Sequence, residues 1–288
     1  MILHTIESGI GPPVVLLHGL FGAARNFGAV QRALAPQFRV IALDMRNHGD
    51  SPHGADMRYA TQATDVEQTL GALGVGQAAV VGHSMGGKAA MALALASPRM
   101  VGRLLVSDIA PVVYQHGNAA MAAAMRSIVL TPTLTRQQAD AALAPAVPRP
   151  DIRAFLLQNL RFGAEPHWRI GLREIAASIA DLEGWPASAA DPATRERVDP
   201  AVRPSNQSAQ MAAPGLAMTA GEGSCYPGPT LFVTGGNSDY VRAEHRPIIR
   251  TLFPAARFVA VKHAGHWVHA DNPAGFLSVL EAFLHDWK

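Results

Sequence analysis

The chain has 288 residues, of which 49% are hydrophobic and 16% charged, and its formal net charge at pH 7 is +2. A chain of this size and composition folds around one sizeable core, or around a core with a small cap. The small net charge and the lack of Lys or Arg runs argue against a nucleic-acid partner. The one cysteine, Cys225, requires no oxidising compartment, and no segment is apolar for long enough to span a bilayer. We therefore expect a cytoplasmic protein without a membrane span.

Six short apolar runs predict buried β-strands, because they are rich in Val, Ile and Leu, as strands covered on both faces are. These runs are residues 14–17, 39–43, 78–81, 103–106, 230–233 and 258–261. Segments with helical spacing lie between most of them, at residues 27–35, 61–73 and 88–96, and residues 273–287 close the chain in the same way. This alternation predicts an α/β protein with a mostly parallel central sheet and helices on both faces.

The alternation stops after residue 110, and the pattern then divides the chain into three parts. Four helices without a strand are predicted in residues 111–186, at 121–129, 135–143, 151–160 and 170–182, and we interpret them as a cap over the active edge of the sheet. Residues 187–228 are rich in Ala, Pro, Ser and Gly and predict a mobile insertion, because they bury little apolar surface to offset the entropy of ordering. Residues 1–110 and 229–288 form the predicted core.

The motif Gly-His-Ser-Met-Gly-Gly at residues 82–87 joins a predicted strand to a predicted helix and is typical of a nucleophile elbow. Ser84 would occupy a strained backbone conformation there, with its hydroxyl above the sheet. Glycines at positions 82 and 86 remove the Cβ atoms that would collide where strand and helix approach each other. The N–H of Met85 would lie at a helix N-terminus, where it can stabilise an oxyanion.

A second oxyanion donor is expected in the segment His-Gly-Leu-Phe-Gly at residues 18–22, which directly follows the first strong strand. Leu20 is the first choice for this backbone N–H. Phe21 is the alternative, because the sequence does not fix which amide points inward.

His266 is the predicted general base, since it follows the last strand in the segment Ala-Gly-His-Trp-Val-His. Its neighbours His263 and His269 are alternative bases, and the three together form a weaker candidate for a metal site, which we do not favour because no further ligand is evident. Two carboxylates are candidates for the acid that orients the base. Asp239 follows the strand at 230–233, and Asp108 follows the strand at 103–106. Spacing and geometry leave both of them open.

Five motifs in order resemble the α/β-hydrolase superfamily and, more narrowly, are similar to the YbfF-type bacterial esterases and their mitochondrial relatives. These motifs are Asp-Met-Arg-Asn-His-Gly at 44–49, Gly-His-Ser-Met-Gly-Gly-Lys at 82–88, Asp-Ile-Ala-Pro at 108–111, Gly-Gly-Asn-Ser at 235–238 and Ala-Gly-His-Trp-Val-His at 264–269. The resemblance covers nearly the whole chain outside 187–228. It implies the α/β-hydrolase fold, Asp108 as the acid, and Ser238 as an auxiliary hydrogen-bonding partner of His266.

The activity implied is that of a serine hydrolase that cleaves a small carboxylic ester, or alternatively an acyl thioester, through an acyl-enzyme intermediate and without a cofactor or metal. Two other functions stay open. One is a lyase or synthase of the same superfamily that uses the same triad, and the other is a non-catalytic ligand-binding protein with this fold. The sequence does not specify the chain length of the acyl group or the oligomeric state.

Overall fold

A computed structural model describes residues 1–115, 117–186 and 225–287, and a seven-stranded sheet forms its centre. The strands are β1 (Thr5–Ser8), β2 (Pro13–Leu17), β3 (Arg39–Leu43), β4 (Ala78–His83), β5 (Val101–Ser107), β8 (Thr230–Gly235) and β9 (Ala256–Val261). Their spatial order is β1-β3-β2-β4-β5-β8-β9. All neighbours pair in parallel except β1, which pairs antiparallel with β3 at the edge. The six predicted strands and the α/β-hydrolase fold are confirmed.

The central strands are covered on both faces of the sheet, and successive side chains of each strand point to opposite faces. In β2, for example, Val15 and Leu17 belong to one apolar cluster, whereas Val14 and Leu16 belong to the other. Every residue of β4 is buried. The central strands are therefore continuous apolar runs, which is the pattern that made them predictable.

Helices cover the sheet, and others lie in the described part of residues 111–186. Those of the core are α1 (Gly28–Leu34), α2 (Tyr59–Ala72), α3 (Met85–Ala96), α9 (Arg246–Leu252), α10 (Val268–Asp271) and α11 (Pro273–Leu284). Those of residues 111–186, the segment that we call the cap, are α4 (Asn118–Ser127), α5 (Arg136–Leu143), α6 (Pro150–Leu156), α7 (Leu172–Ala177) and α8 (Ile179–Glu183). Between them lies a small antiparallel sheet of β6 (Leu160–Arg161) and β7 (His167–Trp168).

The cap differs from the sequence prediction in two respects. The expected absence of strands is wrong, because β6 and β7 pair with each other; each has only two residues, too few to produce an alternating pattern. The single helix expected at 170–182 is two helices, α7 and α8, which meet at Ser178. The division of the chain at residues 110, 186 and 228 stays a prediction.

Most of the predicted insertion, residues 187–224, lies outside the described residues. Tyr226, near the end of that predicted segment, is buried and its hydroxyl donates a hydrogen bond to the carbonyl of Val101 at 2.8 Å. Residue 226 therefore packs with the core. Among the helices of the described part of the chain, none combines the length and the apolar character needed to cross a membrane.

Candidate active site

Ser84 lies in the sharp turn between β4 and α3, and its backbone angles, φ 51° and ψ −117°, are unfavourable for a residue with a Cβ atom. Two glycines make the turn possible. A Cβ atom on Gly82 would lie 2.3 Å from the carbonyl oxygen of Gly86, and a Cβ atom on Gly86 would lie 2.3 Å from the carbonyl oxygen of Leu17. The strained turn and the close approach of strand and helix agree with the elbow expected from the sequence.

A chain of hydrogen bonds connects the hydroxyl of Ser84 to a buried carboxylate. The distance from Ser84 Oγ to Nε2 of His266 is 3.0 Å, and that from Nδ1 of His266 to Oδ2 of Asp108 is 2.8 Å. Asp108 has no exposed side-chain area, and its Oδ1 accepts the N–H of Gly235 at 3.0 Å. The ring of Tyr240 stacks on the imidazole with a centroid distance of 3.7 Å and holds its plane. Tyr240 lies outside the motifs from which the site was predicted.

The structure separates the two candidate acids. Asp239 is 74% exposed, and its carboxylate lies 3.3 Å from the guanidinium of Arg242. Asp108, in contrast, is within hydrogen-bond distance of His266. Ser238 is also at the site, but its hydroxyl donates to Oδ2 of Asp108, whereas the resemblance implied a bond to His266. The expected partner of Ser238 is therefore corrected from the imidazole to the carboxylate.

Three histidines follow the last strand, and the structure gives them different surroundings. Both ring nitrogens of His266 are engaged, one by Ser84 and one by Asp108. His263 is exposed, and its backbone adopts a positive φ of 59°. His269 packs among aromatic rings, and burial lowers its pKa to about 4. The geometry thus brings His266 to Ser84.

The loop after β2 brings Leu20 and Phe21 beside the elbow. Met85 is the first residue of α3, so its N–H has no acceptor within the helix, and Met85 and Leu20 both line the cavity at Ser84. The N–H of Phe21 is not available as an oxyanion donor, because it donates to Nε2 of His48 at 3.1 Å. This leaves Leu20, the first choice from the sequence, next to Met85.

A cavity of about 280 Å³ opens above Ser84, between the carboxyl ends of the strands and the cap. Its cap wall is mainly apolar. The apolar side chains of this wall are Met121, Ile152, Phe155, Leu156 and Leu182. A cavity with apolar walls and a few convergent polar groups is typical of a small-molecule site.

Lys88 lies one turn into α3 and also lines the cavity. Lys88 is nevertheless buried and only 1% exposed. Its ammonium donates to the carbonyls of Val112 and Glu183 at 2.9 and 3.0 Å, and to that of Gly184 at 2.5 Å. Burial lowers the pKa of Lys88 to about 7, against the opposing effect of the Glu183 carboxylate. Lys88 therefore ties both ends of the cap to the helix that carries the elbow.

Residues 12–273 match the profile of the family described as alpha/beta hydrolase fold, and the chain belongs to this family. A mouse relative, "sn-1-specific diacylglycerol lipase ABHD11", is 38% identical over 282 residues, which cover 95% of this chain and 81% of the relative. "Esterase YbfF" of Escherichia coli (strain K12) is 35% identical over 276 residues, covering 95% of this chain and 93% of the relative. These matches confirm the resemblance to the YbfF-type esterases.

Among solved structures, "Marine microorganism esterase" superposes with a TM-score of 0.82 at 29% sequence identity. The match covers 98% of this chain and 99% of that one. The similarity of fold therefore extends over nearly the full length of both chains.

Proposed function

We propose that this protein hydrolyses carboxylic esters, with acyl thioesters as a second substrate class, through an acyl-enzyme on Ser84. The observation that carries the proposal is the hydrogen-bond chain from Ser84 through His266 to Asp108 at the floor of a cavity with apolar walls. The names of the relatives, an esterase and a diacylglycerol lipase, support carboxylic esters as the substrate class.

In the first half-reaction, Ser84 Oγ attacks the substrate carbonyl carbon while its proton passes to Nε2 of His266. The bond from the carbonyl carbon to the leaving oxygen or sulfur then breaks, and His266 returns the proton to the departing alcohol or thiol. The acyl group remains on Ser84. Asp108 stays ionised throughout, and it orients the imidazole and stabilises its positive charge.

In the second half-reaction, His266 takes a proton from a water molecule that attacks the acyl-enzyme, and the carboxylic acid leaves as Ser84 Oγ recovers its proton. The backbone N–H groups of Met85 and Leu20 donate to the oxyanion of both tetrahedral intermediates. Each such donor contributes roughly 3 kcal/mol to lowering the barrier. The apolar cap wall favours an acyl chain as the part of the substrate that it covers.

The test is turnover of p-nitrophenyl esters from acetyl to decanoyl, of the matching acyl-CoA thioesters and of a diacylglycerol. The variants are Ser84→Ala and a matched control, Ser127→Ala, whose hydroxyl is on the exposed end of α4. We expect Ser84→Ala to lose roughly 10³-fold or more in kcat, and the control to keep the parent rate. Mass spectrometry of the quenched parent should detect one acyl group on Ser84.

Other outcomes would contradict the proposal. Labelling of Ser84 by a fluorophosphonate without turnover of any of these acyl substrates would favour a lyase or synthase with the same triad. If Ser84 is not labelled and none of the acyl substrates is turned over, the result would favour a non-catalytic binding protein. Turnover that survives Ser84→Ala would exclude the acyl-enzyme.

A further inference from the structure

Phe21 adopts a backbone conformation that its side chain does not favour. Its φ is 60°, in the left-handed region that bulky residues avoid. The N–H of Gly22 donates to the carbonyl of Gly19 at 2.9 Å, so residues 19–22 form a tight turn with Phe21 in third position. A positive φ at the third position is typical of a type II turn, which usually has glycine there. The surroundings must therefore hold Phe21 in place, because such a strained residue persists only when its neighbours fix it.

The first of these neighbours is His48, from the loop after β3. Its Nδ1 lies 2.8 Å from the carbonyl of Arg46, and its Nε2 accepts the N–H of Phe21 at 3.1 Å. A carbonyl can only accept, so Nδ1 carries the proton and Nε2 presents its lone pair to Phe21. His48 is fully buried, and burial lowers its pKa to about 3, which keeps this neutral tautomer in place near pH 7.

The second neighbour is Asn159, which reaches the same residue from the cap. It lies just before β6, its side chain is 2% exposed, and its Nδ2 donates to the carbonyl oxygen of Phe21 at 2.7 Å. Phe21 is thus held on both sides, its N–H by the core and its carbonyl by the cap.

We propose that His48 and Asn159 are positioning residues that clamp Phe21 between the core and the cap. This clamp fixes the turn in which the Leu20 N–H faces the oxyanion. The geometry of the oxyanion hole therefore depends on the position of the cap relative to the core. The inference rests on the proposed function. A peptide is planar and trans, so the N–H and the carbonyl at its two ends point in opposite directions. A flip of the peptide between Leu20 and Phe21 would direct the Leu20 carbonyl at the lone pair of His48. Because such a flip rotates the backbone at Leu20, it would also shift the adjoining peptide, which carries the Leu20 N–H. The clamp therefore opposes relaxation of the turn toward a conformation that suits Phe21 better.

The variants for the test remove or keep single hydrogen bonds. Asn159→Leu keeps a side chain of similar shape but loses the N–H that donates to the carbonyl of Phe21. His48→Leu loses both ring nitrogens, whereas His48→Gln offers an amide oxygen to Phe21 and an amide N–H to Arg46. The matched control is Gln158→Leu, because exposed Gln158 ties the same cap segment to the core without reaching Phe21.

The measurements are kcat and KM for a p-nitrophenyl ester, the rate for a thionoester of the same acyl group, and affinity for a boronic acid that forms a tetrahedral adduct. One oxyanion donor is worth about 10²–10³ in kcat, so its partial displacement should cost roughly 10–100-fold. We expect this loss in kcat for Asn159→Leu and His48→Leu, with KM within about threefold. His48→Gln should recover most of the activity, and Gln158→Leu should match the parent.

The thionoester and the boronic acid separate an oxyanion effect from a structural one. The thionoester has sulfur in place of the carbonyl oxygen, and this sulfur gains little from the N–H donors. In the variants, the ratio of the ester rate to the thionoester rate should therefore fall by about the same factor as kcat for the ester. The boronic acid should bind more weakly by a similar factor. Equal losses on ester and thionoester, or parent kcat in Asn159→Leu and His48→Leu, would overturn the clamp. If Ser84→Ala also keeps its activity, the proposed function itself fails; if Ser84→Ala is inactive, the failure concerns the clamp alone.

Discussion

Exchange of one carboxylate for an amide, Asp108→Asn, tests the candidate acid. At this site Oδ1 accepts the N–H of Gly235, and Oδ2 faces Nδ1 of His266. In the variant the Gly235 N–H fixes the amide oxygen at the first position, so the amide NH₂ faces the imidazole. Nδ1 must then become an acceptor, and the imidazole proton moves to Nε2, where it blocks transfer from Ser84. The variant therefore loses both the charge and the correct tautomer.

The size of the loss follows from the geometry. Two unit charges about 4 Å apart interact by about 4 kcal/mol at an effective dielectric constant of 20. This is the stabilisation of the imidazolium that Asp108→Asn removes, and it corresponds to roughly 10³-fold in rate. The wrong tautomer adds to it, so we expect a loss of about 10³–10⁵-fold in kcat/KM. Asp239 is 74% exposed beside Arg242, and Asp239→Asn should change the rate by less than about twofold.

The assay is kcat/KM for a p-nitrophenyl ester, measured for the two Asp→Asn variants side by side, with thermal unfolding of each to confirm that it is folded. The exchange is chemically identical at the two positions, so Asp239→Asn controls for any general effect of losing a negative charge. Loss of turnover in Asp239→Asn together with near-parent turnover in Asp108→Asn would refute the assignment of the acid.

Two further predictions concern stability. Lys88→Met leaves three carbonyls without their donor, each costing about 1–3 kcal/mol, and removal of the buried ammonium offsets part of this. We expect a net loss of about 2–4 kcal/mol in the free energy of unfolding by urea; a loss no larger than that of exposed Lys262→Met would contradict it. His269 has its pKa lowered to about 4 by burial, so below about pH 6.5 the unfolded chain takes up the proton first and stability falls toward pH 4. His269→Phe should make this decline in unfolding free energy less steep but not abolish it, because burial also lowers the pKa values of His48 and His83. Exposed His285→Phe should leave the decline unchanged.

The sheet could be predicted from the sequence because burial on both faces makes each central strand a continuous apolar run. Strand β1 could not, since its residues, Thr-Ile-Glu-Ser, lie at the edge and are largely uncovered. The elbow was predictable because its serine and glycines form one short motif at residues 82–87, which is recognisable without knowledge of the contact between Gly86 and Leu17. The burial of Lys88 could not be predicted in this way. Its three acceptors come from residues 24 to 96 positions away, and no local pattern reveals them.

The sequence did not decide between Asp108 and Asp239 as the acid, because the two strands that they follow end at the same edge of the sheet. Strands β5 and β8 pair in parallel, and the N–H of Asp108 donates to Val233 of the neighbouring strand at 2.8 Å. Side chains that follow either strand can therefore reach the same imidazole. Asp108 supplies the carboxylate from one strand, and Ser238, from the other, supplies a hydroxyl that donates to it. This hydrogen bond helps to hold the carboxylate in the position in which Oδ2 also faces Nδ1 of His266. The two strand ends thus act together on His266: one supplies the carboxylate, and the other supplies the hydrogen bond that orients this carboxylate.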